Sequence, residues 1–116
     1  MNNKIDELRS KVASLKGQGA ILKVSELEGK AFILNVNAVK NVEGKYGEQM
    51  LIVGTCVEGD LEQDSGEEVR LYLNNKRQKY FEEEYDGEGS YAFVFGEKVQ
   101  LDNGYDYIPL DLVEKV

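Results

Sequence analysis

Gly29-Lys30-Ala31-Phe32-Ile33-Leu34-Asn35-Val36-Asn37, followed by Gly44-Lys45-Tyr46-Gly47-Glu48-Gln49 and the apolar run Met50–Val57, decides how this chain folds. From Lys30 to Val39 the residues alternate. Phe32, Leu34, Val36 and Ala38 fall on one side, Asn35 and Asn37 on the other, which is the period of a half-buried strand. Residues 40–47 read as a turn. Met50 to Val57 reads as the returning strand, with Leu51, Val53 and Val57 on one face. Gly54 marks a bend or bulge of the sort a barrel corner needs.

Toward the N-terminus, residues 20–24 form a short apolar lead strand. Before it, Ile5, Leu8, Val12 and Leu15 recur at helical spacing, which predicts an amphipathic helix over 3–16, ended by Gly17 and Gly19. This stripe either packs on the rest of the domain or pairs with a second subunit. The latter gives a dimer or higher homo-oligomer, in which several weak grooves act together. Toward the C-terminus, residues 58–67 are an acidic loop. Glu68 to Leu73 is a strand with Val69, Leu71 and Leu73 inside and Arg70 and Tyr72 outside. Asn74 caps a short helix to about Tyr85, with Tyr80, Phe81 and Glu84 on its inner side or rim. Residues 90–101 alternate again, bringing Tyr91, Phe93 and Phe95 together. Asp102-Asn103-Gly104 is a hairpin turn, and the last strand, Tyr105 to Leu112, is an edge or a broken strand because it contains Pro109.

The chain is 116 residues long, 41% hydrophobic and 31% charged, which fits one soluble domain that closes its own core. The expectation is an all-β fold with minor α: a five-stranded OB-fold Greek-key barrel over 20–113. A short helix lies between strands 3 and 4, and a helical segment over 1–17 precedes the barrel. No run approaches the length of a membrane helix and the N-terminus lacks a signal-peptide core, so the expected location is cytoplasmic and without membrane contact. Cys56, the single cysteine, reads as a small buried hydrophobe.

The formal charge is −8, from 14 basic and 22 acidic residues with no histidine. Alone this argues against a phosphate-rich partner. The distribution matters more than the sum, and many acids sit in Glu58–Glu68 and Glu82–Glu88, expected to face away from any groove. Without histidine, a nucleophile motif or a phosphate-binding glycine loop, the chain reads as a non-enzyme with no cofactor. The acids of 82–88 lack the spacing of a calcium loop and read as solvated, so no metal is expected.

The candidate site residues are those able to grip an unpaired strand, a cation for phosphate and a ring for a base. Lys45 and Tyr46 sit between two glycines at the expected hairpin tip. Arg70 and Tyr72 share the solvent side of the third strand. Asn35 and Asn37 line the same groove, Lys76 and Arg77, with Lys79 nearby, open the helix, and Tyr105 and Tyr107 alternate on the last strand. For each the bland reading is an exposed turn, a cross-strand pair or a solvated helix face.

Ser25-Glu26-Leu27-Glu28-Gly29-Lys30-Ala31-Phe32-Ile33, the Lys45-Tyr46-Gly47-Glu48-Gln49 tip and Asp102-Asn103-Gly104-Tyr105-Asp106-Tyr107-Ile108-Pro109-Leu110 together resemble phage-encoded OB-fold single-stranded DNA-binding proteins. The resemblance spans roughly residues 20–113. It implies binding of single-stranded DNA without sequence preference during phage replication or recombination in the bacterial host cytoplasm, alongside replication or recombination proteins. The chain departs from bacterial proteins of this function, ending Leu112-Val113-Glu114-Lys115-Val116 without an acidic tail. Recruitment of host partners through such a tail is therefore not expected. The alternative is an acidic protein-interaction module, an adaptor or a DNA mimic, that binds no nucleic acid.

Overall fold

A computed structural model describes residues 20–44 and 47–116. The helix expected over 3–16 and the Lys45-Tyr46 pair lie outside the described residues. One short strand and two long ones open the fold: β1 (Ala20–Leu22), β2 (Ala31–Gly44) and β3 (Gly47–Gly59). Phe32, Leu34 and Val36 of β2 are buried, as a period of two requires.

That period breaks once. Asn37 is the extra residue between the Val36–Gly54 and Ala38–Val53 pairs. A bulge of one residue shifts every later side chain to the other face. Ala38 therefore leaves the inward row where the sequence pattern put it, and Val39 packs on the core instead. The turn expected over 40–47 is also strand, since β2 pairs with β3 as far as Gly44 opposite Gly47. Its residues are polar because this end of the hairpin extends beyond the reach of its neighbours. β5 meets only residues 31–35 of β2, and β4 meets only residues 50–55 of β3. A two-stranded arm wet on both faces holds itself by main-chain bonds and needs no alternating pattern.

The remaining elements are β4 (Glu68–Leu73), α1 (Asn75–Glu84), β5 (Ser90–Phe95), β6 (Val99–Gln100), β7 (Asp106–Tyr107) and β8 (Leu110–Lys115). One sheet has the order β1-β4-β3-β2-β5-β8, and β6 and β7 make a separate hairpin. β1 runs parallel to β4 and every other pair is antiparallel. The architecture is mostly β with one helix among the described residues. It is an open sheet with β1 and β8 at its edges, where the sequence led us to expect a closed five-stranded barrel. The lead segment occupies the free side of β4, where a closing strand would have to pair. Pro109 splits the expected last strand into β7 and β8, because it has no N–H to donate. Its carbonyl instead accepts from the Gly96 N–H at 2.9 Å.

One aromatic cluster fills the core against α1. Phe81 of α1 is fully buried and stacks on Phe93 at 5.8 Å and on Tyr85 at 4.8 Å; Phe32 stacks on Phe93 and Phe95. Helix α1 links β4 to β5 and packs against β8, β3 and β4. Gly59 ends β3 at φ 132°, and a Cβ there would lie 2.6 Å from the Ala31 carbonyl oxygen, so only glycine fits. No helix among the described residues is long and apolar enough to cross a membrane.

Candidate nucleic-acid interface

β4 sorts its side chains cleanly. Val69, Leu71 and Leu73 are fully buried, while Arg70 and Tyr72 are half-buried on the outer face, as the alternation predicts. Arg70 lies between Ile21 of β1 and Val53 of β3, and Tyr72 lies beside Leu51. Leu51 is buried on this side, outside the main core. The Arg70 Nε is buried with no hydrogen-bond acceptor among the described residues. Burying a guanidinium donor without a partner is costly, and Arg70 is held half-buried on the outer face with that cost unrelieved among the described residues.

Tyr72 also lines a cleft of about 520 Å³ at the rim of the sheet, with Gln49 from β3, Asn74 at the helix cap and Lys76 on the first turn of α1. Asn74 forms the cap predicted from the sequence: its Oδ1 accepts from the Arg77 N–H at 3.0 Å. The cap fixes where Lys76 and Arg77 leave the helix. Lys76 is exposed, and its Nζ stands 5.4 Å from the Tyr107 ring.

Arg77 is less available than the sequence pattern implied. Its Nε donates to the Ile108 carbonyl at 2.8 Å, and its guanidinium lies 4.3 Å over the Tyr107 ring. Burial lowers its pKa from the ordinary arginine value. It ties α1 to the β7–β8 link and holds one face of Tyr107. Tyr107 is half-buried and lines a second cleft, with Lys79 and Tyr80 opposite. Tyr105 is 72% exposed at the hairpin tip and lines neither of these clefts.

Asn35 and Asn37 are exposed on the outer face, as expected, but they are bonded to the chain itself. Ser90 Oγ donates to Asn35 Oδ1 at 3.3 Å, Asn35 Nδ2 to Asn37 Oδ1 at 3.2 Å, and Asn37 Nδ2 to Thr55 Oγ1 at 2.8 Å. This ladder spans the β2 bulge and accounts for the two asparagines structurally. The acids are not segregated from the groove as the sequence reading supposed. Glu68 shares the outer side of β4 with Arg70, and Glu48 lines the first cleft. Strand alternation forces the first, and pairing of residues 47–49 into the hairpin arm forces the second.

The structure thus brings Arg70, Tyr72, Lys76, Arg77 and Tyr107 around one end of the sheet, and leaves Asn35, Asn37 and Tyr105 apart from that end. Tyr80, expected on the inner side or rim of the helix, is also a cleft residue. Its signal was present: Tyr80 follows Lys76 by four residues, so the two share a helix side, and it precedes the buried Phe81.

The far end of α1 holds the opposite arrangement. The Tyr91 hydroxyl accepts from the Asp86 N–H at 3.1 Å and faces Asp86 Oδ1 at 2.9 Å and the Glu88 carbonyl at 3.0 Å. Lys115 pairs with the other Asp86 oxygen, the only ion pair among the described residues. Hydrogen bonds from Lys115 first and Tyr91 second pull the Asp86 pKa down to about 2. Burial raises Tyr91, and Asp86 raises Lys115. Cys56 is buried as predicted, and burial pushes its thiol up, away from reactivity.

No protein-family model, no curated protein and no solved structure matches this chain.

Proposed function

We propose that this protein is a binding module for single-stranded DNA, without sequence preference and without enzymatic activity, gripping the strand on the outer face of β3 and β4 and in the cleft at the start of α1. The observation that carries this reading is Arg70 beside Tyr72: a guanidinium whose Nε has no acceptor among the described residues, next to a ring that opens onto a cleft with Lys76. A cation for the phosphate and a ring for the base are what a strand of any sequence offers partners for. Lys45 and Tyr46, which follow Gly44 and precede Gly47 in the sequence, are proposed as a second pairing of cation and ring.

The fold behind this proposal is an OB-fold whose closure is left open. β2, β3, β4, β5 and β8 supply five strands, α1 falls between the third and fourth, and their order β4-β3-β2-β5-β8 would become a barrel if β8 met β4. Binding on the face of the second and third strands, flanked by the loops joining first to second and fourth to fifth, is how such folds hold oligonucleotides. The resemblance in sequence adds a setting, phage replication or recombination, and the Ile5, Leu8, Val12, Leu15 stripe adds assembly as a dimer or higher.

The net charge of −8 limits affinity and makes it sensitive to salt. The test is fluorescence anisotropy of a labelled oligo(dT) titrated with protein at low and moderate salt, with a duplex of equal length as control. Saturable binding of the single strand alone, weakening with salt, supports the proposal. No binding at either salt overturns it in favour of an acidic module with a protein partner.

A further inference from the structure

We infer that the cleft between α1 and the β7–β8 link is a second nucleotide subsite, in which Lys79 takes a phosphate and a base stacks against Tyr80 and Tyr107. This inference rests on the single-strand reading above and extends it to a wall that the sheet face does not have, the exposed side of α1.

The cleft encloses about 370 Å³, with Lys76, Lys79 and Tyr80 on the helix side and Tyr107, Pro109 and Asp111 on the other. Lys76 lines this cleft and the cleft of Tyr72 alike. One cation therefore stands at the junction of two hollows, where a continuous polyanion would pass. A small isolated ligand has no use for that continuity, whereas a strand with a phosphate between every two bases does.

The composition of the walls fits. Tyr80 is 49% exposed although it neighbours the fully buried Phe81, so its ring stands beside the cleft rather than in the core. Tyr107 has Arg77 over its ring at 4.3 Å, which fixes the ring and places positive charge behind it. Lys76, Arg77 and Lys79 form no ion pair among the described residues. The one opposing charge in the cleft is Asp111, whose carboxylate lies over Gly96, where that residue leaves no Cβ.

The experiment uses the full chain and the same labelled oligo(dT), long enough to cover both clefts. Lys79→Gln with Tyr80→Ala should weaken binding about tenfold, the loss of one stacked base and one phosphate contact. Its melting temperature should match the wild type, since both side chains are exposed. Photo-crosslinking of an oligo(dT) carrying 4-thiothymidine, read by mass spectrometry, should give adducts at Tyr80 or Tyr107 as well as at Tyr72. Wild-type affinity in the double variant, or adducts confined to the Tyr72 side, would overturn the second subsite and leave the primary one standing. Failure of the wild type to bind any oligo(dT) would overturn the single-strand reading and this subsite together.

Discussion

The two ends of α1 pair tyrosine with charge in opposite ways. At its C-terminal end, Tyr91, Asp86 and Lys115 satisfy one another: a phenol, a carboxylate and an ammonium close a knot that needs nothing further. At its N-terminal end, Tyr72, Lys76 and Tyr107 line open clefts, and on the neighbouring face of β4 the Arg70 Nε has no acceptor among the described residues. Groups that complete each other hold a structure together. Cations that line a hollow without an ion-pair partner, with rings between them, leave room for a further group. The same residue types serve both ends; what separates them is that the acid pairs with the cation at one end, whereas Glu48 and Asp111 line the clefts of the other without forming an ion pair among the described residues.

The hardest way to break the comparison is to remove what both ends share. Phe81 sits in the core between them, and Phe81→Ala should cost about 3–5 kcal/mol of stability, from lost transfer free energy and the cavity left behind. Urea unfolding would read this as a lower midpoint, and both ends should loosen together. Next in size, Tyr72→Ala should weaken single-strand binding by roughly 1–3 kcal/mol, the worth of one stacked base, with little change in melting temperature. Asp86→Asn should do the reverse, lowering stability and leaving oligo(dT) affinity unchanged.

The pH dependence sharpens the same contrast. The folded pKa of Asp86 is depressed to about 2, against about 3.9 in an unfolded chain. Its contribution is therefore present above the unfolded value and lost as pH falls through the folded one. Melting curves of wild type and Asp86→Asn should differ at neutral pH and converge as pH drops from about 4 toward 2. The smallest effect belongs to Lys76→Gln. It removes one phosphate contact, so the slope of log affinity against log salt should flatten by about 0.7, visible only in a full salt titration.

Much of this was legible in the residues. Strict alternation in β4 named Arg70 and Tyr72 as outward, Asn74 announced the cap, and the Tyr91, Phe93, Phe95 row announced the core. Alternation reads well where one face is buried and the other wet, because burial selects every second residue. It failed in β2 at Asn37, since a bulge adds a residue without changing composition, and it failed over 40–44, since an arm wet on both sides selects nothing. The candidate site was half visible. Arg77 looked like its neighbours Lys76 and Lys79 until the fold brought the Ile108 carbonyl, 31 residues away, within 2.8 Å.

Local periodicity and capping were enough to mark the strand cores of β2, β3, β4 and β5, the helix α1 and the side of β4 that faces water. The assembled fold settled that β1 takes the free side of β4 and leaves the sheet open. It alone decided that Asn35 and Asn37 bond across a bulge, and that Lys76 joins a cleft beside Tyr72 to one beside Tyr107. These depend on contacts between residues far apart in the chain, and no local pattern encodes which distant partner will be there.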